Sequence, residues 1–226
     1  MKTFSYLKNM PELQSLPVEE LDGKRHYISP NGIKLPSVTT VLGHSKKKGI
    51  EVWRNRVGAE EADRVMHRAA TRGTKFHAML ERYLGNEKNL FEGIMPDMKQ
   101  AFNDIKPTIN MIDNIHYIES PLYSEILGVA GRTDVIAEFD GVPSIIDFKT
   151  SLRPKKHEWI DGYFEQGTAY SLMYEELTGI QIFQVVVIIS VDGTNEPQVF
   201  VENRIDHIDA LMSKIDDYKK EFTHVY

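Results

Sequence analysis

Apolar residues recur along this chain in two different periods, and the change from one to the other divides it. From Ile50 to about Leu84, the positions Val52, Trp53, Val57, Ala62, Val65, Met66, Phe76, Leu80 and Leu84 return every three or four residues, the spacing of one helix face. Gly73-Thr74 is expected to interrupt that run, with Thr74 as the N-cap of a second helix. A further helix is expected over Pro96 to Met111. The period then shortens to that of strands, at about 115–125, 128–139, 142–150 and 182–191, with one helix inserted over about 158–178 and a closing helix over about 206–222. Upstream, residues 24–42 read as a short hairpin that turns at Pro30-Asn31-Gly32 and continues into β-branched residues after Pro36. Helices followed by strands with a single inserted helix predict an α/β fold of the α+β kind, a mixed sheet packed by helices.

Composition narrows the function classes. The 226 residues, 41% of them hydrophobic, suit one folded domain over 1–226, with a hairpin and helical region at 24–84 and a core sheet with its inserted helix at 112–192. Cysteine is absent, which excludes disulfide frameworks, thiolate zinc sites, iron–sulfur clusters and cysteine nucleophiles, so any metal must bind oxygen or imidazole. The longest apolar run, Ile182 to Val191, is half the roughly 20 residues of a bilayer span, and Glu12, Glu19 and Glu20 make the N-terminus unlike a signal or transit peptide. A cytoplasmic protein of a bacterium or phage-infected cell, with no membrane partner, is expected. The net charge of −6 excludes a uniformly basic nucleic-acid coat, yet nine basic and four acidic residues between His44 and Lys75 give that stretch +5 and leave −11 for the remainder. A basic strip on an acidic body can hold a phosphate backbone.

The most informative stretch is Gly128 to Ser151. Asp140-Gly141 between two strand-like runs signals a two-residue hairpin turn, and in that register Phe139 faces Val142 and Asp134 faces Asp147. Lys149 projects from the same face as Asp147. Pro143 falls opposite Glu138 in a non-hydrogen-bonded pair, where its missing donor costs nothing. Two opposed carboxylates repel unless one takes up a proton or a cation lies between them, and a hard divalent ion resolves the conflict.

Gly131-Arg132-Thr133-Asp134 followed by Asp147-Phe148-Lys149-Thr150-Ser151 resembles the PD-(D/E)xK nuclease superfamily in its RecB-like branch. Arg72-Gly73-Thr74-Lys75-Phe76-His77 with Glu81, and Gln166 with Tyr170, resemble that branch's histidine helix and its Q-x-x-x-Y helix. Tyr27 to Gly32, Pro36 to Leu42, and Trp53 to Gly58 are similar to the mitochondrial genome maintenance exonuclease family and its phage relatives. The resemblance spans about 24–192. It implies a restriction-endonuclease-like core with extra N-terminal helices and hairpin, and metal-dependent phosphodiester hydrolysis on DNA, mostly at single-stranded ends.

On this reading Asp134, Asp147 and His77 are metal ligands for Mg²⁺ or Mn²⁺, joined by Glu119 or its rival Glu125. Lys149 orients or activates the attacking water, or stabilises charge on the phosphorane. Gln166 and Tyr170 contact phosphate or buttress Lys149, and Tyr174, on the same helix face, is packing. Arg54, Arg56, Arg68, Arg72 and Lys75 are expected to contact phosphates, with Lys155 and Lys156 as the alternative path. Trp53 and Tyr27 are candidate base-stacking platforms, Trp53 with an equal claim to the core. Replication or recombination proteins are the expected protein partners. A structure-selective or restriction-like endonuclease, or a DNA-binding module that has lost catalysis, is the competing expectation.

Overall fold

The computed structural model describes residues 2–21 and 23–222. Its centre is a five-stranded sheet in the order β4-β5-β6-β7-β8, formed by Ile112–Ser124, Val129–Phe139, Val142–Ser151, Gln184–Val191 and Gln198–Asn203. All neighbours are antiparallel except β6 and β7, which run parallel because helix α5 (Asp161–Thr178) carries the chain between them. The sheet is mixed, as the element order predicts.

Helices cover both faces. Ile146 and Phe148 of β6, with Val186 and Ile188 of β7, pack against α3 (Ala59–Leu84) and α4 (Pro96–Ile109) through Phe76, Leu80, Phe102 and Ile105. Ile136 and Ile145 face the other way, onto α5, α1 (Val38–His44) and α6 (Ile208–Phe222) through Tyr170, Met173, Val41 and Ile215. The apolar run of β7 is explained by this: a strand covered on both faces needs apolar residues at successive positions. Among the described residues no helix is long and apolar enough to cross a membrane.

A smaller sheet, β1 (Val18–Leu21), β2 (Lys24–Ile28) and β3 (Lys34–Pro36), contains the hairpin, whose loop spans Ser29–Ile33 as the Pro30-Asn31-Gly32 motif requires. The β-branched residues after Pro36, read as its second arm, are instead helix α1. Ser37 decides this locally, because its hydroxyl accepts the Thr40 backbone N–H at 3.0 Å and caps the helix. The break in the long helical run also differs. Helix α2 (Lys47–Val57) ends at Gly58, and α3 then passes through Gly73-Thr74 without interruption. Thr74 is not a cap; its hydroxyl donates to the Ala70 carbonyl one turn back, which satisfies it inside the helix. Burial of Phe76, Met79, Leu80, Tyr83 and Leu84 outweighs the roughly 1 kcal/mol that a mid-helix glycine costs. Strands β1 and β8 extend the sequence prediction, both lying at sheet edges, and neither contains a fully buried residue.

Candidate active site

Strands β5 and β6 part where their two aspartates meet. Asp140 and Gly141 both adopt positive φ, and the pairs from Phe139↔Val142 to Val135↔Ile146, including Glu138↔Pro143, keep the register this turn dictates. One step further the ladder stops: the Phe148 backbone N–H donates to Asp134 Oδ2 at 2.8 Å. A side chain thus replaces a backbone acceptor. On the other side of β5, Ile118↔Val135 and Ser120↔Thr133 set Glu119 level with Asp134. Glu119 is held at φ 48°, a conformation costly for a non-glycine residue and concentrated at functional sites. Three carboxylates, Glu119, Asp134 and Asp147, therefore stand at one level of three adjacent strands.

His77 reaches this level from α3, its Nδ1 lying 3.3 Å from Asp134 Oδ1. One ligand atom from each of His77, Glu119 and Asp134 lies within 4.8 Å of the others, a donor set of two carboxylates and an imidazole that suits a divalent ion. Burial together with the charge of Asp134 pushes the Glu119 carboxyl up to about 7. Burial opposes protonation of His77, but Asp134 outweighs it and raises the imidazole above its usual value. Burial likewise opposes ionisation of Asp134, but His77, Lys149 and the Phe148 N–H hold its carboxyl below the usual range. A cation between these groups would relieve the cost of Glu119 and displace the proton from His77.

Asp147 lies beside this trio with both oxygens engaged. One forms an ion pair with Lys149 Nζ, and the other accepts from Gln166 Nε2 at 3.3 Å. Its burial and the neighbouring Asp134 raise the Asp147 carboxyl to about 6 in spite of Lys149. For Lys149, burial is outweighed by Asp147 and Asp134, so its amine is held above the usual range and stays charged. Gln166 also donates to the Tyr170 hydroxyl at 3.3 Å. Tyr170 in turn explains Gly131: a Cβ there would stand 2.7 Å from Tyr170 Cε1.

The other sequence candidates separate. Glu125 is drawn away from the cluster by Asn31, whose side-chain amide donates to it at 3.0 Å, which leaves Glu119 as the carboxylate of β4. Tyr27 is buried with Leu16, Leu35 and Ala130 and is not available for stacking. Tyr174 is fully buried, as expected of packing, with its hydroxyl 2.8 Å from His116 Nδ1. Trp53 is half-buried on α2, a helix with no buried residue, and is not core. Arg54 is paired with Asp63 at 2.5 Å, bracing α2 on α3, and Arg72 is ion-paired with Asp192 and, at 3.7 Å, with Asp97. Arg56, Arg68 and Lys75 are exposed.

Sequence reasoning missed Tyr163 and the special position of Lys46. The Lys149 ammonium lies 5.2 Å from the Tyr163 ring centroid, and Lys46 Nζ lies 5.8 Å from the same ring. Extending the face of Gln166, Tyr170 and Tyr174 one turn back finds Tyr163. Lys46 has no such local signal. It places the start of α2 beside the cluster, while α3 returns to the cluster at His77.

With this geometry in place, sequence comparison adds an independent finding. Human mitochondrial genome maintenance exonuclease 1 is 28% identical over 130 residues, which cover 54% of this chain and 38% of that protein. This chain is similar to an exonuclease. The mouse mitochondrial genome maintenance exonuclease 1 is 29% identical over 153 residues, 61% of this chain and 45% of its own length. The chain thus spans less than half the length of the curated relatives it matches. No family model matches.

Proposed function

We propose that this protein is a metal-dependent deoxyribonuclease of the PD-(D/E)xK type, in the RecB-like branch, that hydrolyses phosphodiester bonds at single-stranded DNA ends with Mg²⁺ or Mn²⁺. The observation that carries the reading is the meeting of Glu119, Asp134, Asp147, His77 and Lys149 where β5 and β6 part. The name of the relatives supports exonuclease action on DNA.

His77, Glu119 and Asp134 would hold the ion, with Asp147 as the adjoining carboxylate. The ion would supply Lewis acidity toward a phosphate oxygen and make a bound water easier to deprotonate. Lys149 acts as a fixed cation rather than as a base, since its amine is held in the charged form. Its role is to offset charge that builds on the phosphate oxygens during attack. Asp147 and Gln166 position that ammonium, and Tyr170 fixes Gln166. The basic residues of α2 and α3 draw the DNA backbone toward the cluster, because these helices leave it at Lys46 and return to it at His77.

End-labelled DNA tests this reading, as linear single strand, linear duplex and closed circle, with Mg²⁺ or Mn²⁺. Shortening of linear strands from an end with circles left intact is expected. Cleavage of circles would make the protein an endonuclease, and no cleavage of any substrate would leave only a DNA-binding role.

A further inference from the structure

Beyond the cluster, a cavity of about 450 Å³ lies between α3 and the end of β6, lined by Ala69, Arg72, Thr150, Ser151, Leu152, Arg153 and Lys155. Thr150 directly follows Lys149, so the cavity lies one residue beyond the cluster along β6. Along α3, Arg72 precedes His77 by about 7.5 Å of helix axis, a step that one nucleotide spans. Three of the lining residues are cations and none is an acid. Arg72 is oriented by Asp192 and Asp97, whereas Arg153 and Lys155 have no carboxylate partner among the described residues.

The segment that carries these two cations is fixed. The Gln198 side chain of β8 accepts the Lys155 backbone N–H at 2.7 Å and donates to the Lys155 carbonyl at 2.8 Å. The Ser151 hydroxyl donates to the Arg153 carbonyl at 2.7 Å. A loop held this way loses little freedom when a ligand arrives, and unpaired cations at its surface favour an anion.

We propose that this cavity is a subsite for a phosphate of the DNA strand next to the one being cut, with Arg153 and Lys155 as its ligands and Gln198 as a positioning residue. The proposal rests on the nuclease reading above and adds a contact outside the basic strip of α2 and α3. An internal phosphodiester and a terminal phosphate offer the same chemistry here.

The test uses Asp147→Asn protein, expected to bind without cutting, and a thymidine 12-mer carrying a 5′-phosphate, a 3′-phosphate or neither. Adding Arg153→Ala and Lys155→Ala is expected to weaken binding about tenfold at low salt and to flatten the slope of log affinity against log salt by about 1.4, two contacts at about 0.7 each. Gln198→Ala, which keeps both cations, should weaken binding by less without changing the slope. Loss shared by all three oligonucleotides marks an internal phosphodiester; loss confined to one phosphorylated end marks a terminal phosphate. Unchanged affinity and slope, or equal flattening by the control pair Lys88→Ala and Lys99→Ala, which do not line the cavity, would overturn the subsite. The nuclease reading fails separately, if wild-type protein cuts no DNA with either ion.

Discussion

At Glu119, a strained backbone and a shifted carboxyl coincide. Its pKa is raised, from 4.5 to about 7, so the folded metal-free protein keeps a proton there that the unfolded chain has lost. The cost is absent below the unfolded value and complete above the folded one, so this residue destabilises the metal-free protein as pH rises from about 4.5 to 7. Glu119→Gln should therefore stabilise metal-free protein at pH 8 by about 1 kcal/mol once solvent screening is allowed for, read as a higher melting temperature, and should not do so at pH 4. Equal melting of the two proteins at both pH values would remove the conflict between Glu119 and Asp134. Lys149→Ala tests the neighbouring cation. Loss of a preorganised charge should slow turnover by about a hundredfold or more, with DNA binding nearly intact, because one cation is a small part of the basic surface. Asp134, Asp147 and Lys149 were legible in sequence because a two-residue turn fixes the register of every pair that follows it. Glu119 was already favoured over Glu125 in the sequence; what it did not show is Asn31, 94 residues away, holding Glu125.

Among the elements, the hairpin and helix α5 form one unit. The Tyr170 ring closes over Gly131, and Gln166 links it to Asp147. Gly131→Ala should cost about 1–3 kcal/mol, as insertion into a filled space does, and should impair catalysis by displacing Tyr170 and Gln166. Thermal unfolding and turnover on the same preparation check this; an unperturbed pair of values would contradict the close approach. Sequence periodicity located most of the elements here but not the break between α2 and α3. Gly73 carries a weaker propensity signal than the buried face from Phe76 to Leu84 can override, whereas the α2–α3 stretch around Gly58 has almost no buried face to hold a helix together.

For the whole molecule, charge is segregated: +5 on residues 44–75 against −11 elsewhere. Arg54 and Arg72 spend their charge on Asp63, Asp97 and Asp192, so the exposed Arg56 and Arg68 are the better candidates for phosphate contact. Arg56→Ala with Arg68→Ala should flatten the salt dependence of single-strand binding by about 1.4 and weaken all sequences alike. The strip itself was visible in the sequence; its internal ion pairs were not, because they join residues brought together only by folding.

The central claim is that His77, Glu119 and Asp134 hold a divalent ion needed for DNA hydrolysis, and the most direct measurement is a Mn²⁺ titration of protein stripped by chelator. Cleavage of an end-labelled single strand and melting temperature are followed on the same samples. The account predicts no cleavage without metal, a parallel rise of cleavage and melting temperature as Mn²⁺ is added, and weaker Mn²⁺ binding at pH 6 than at pH 8, because Glu119, raised to about 7, holds a proton at the lower pH that it has released at the higher. Undiminished cleavage by the stripped protein in excess chelator would contradict it.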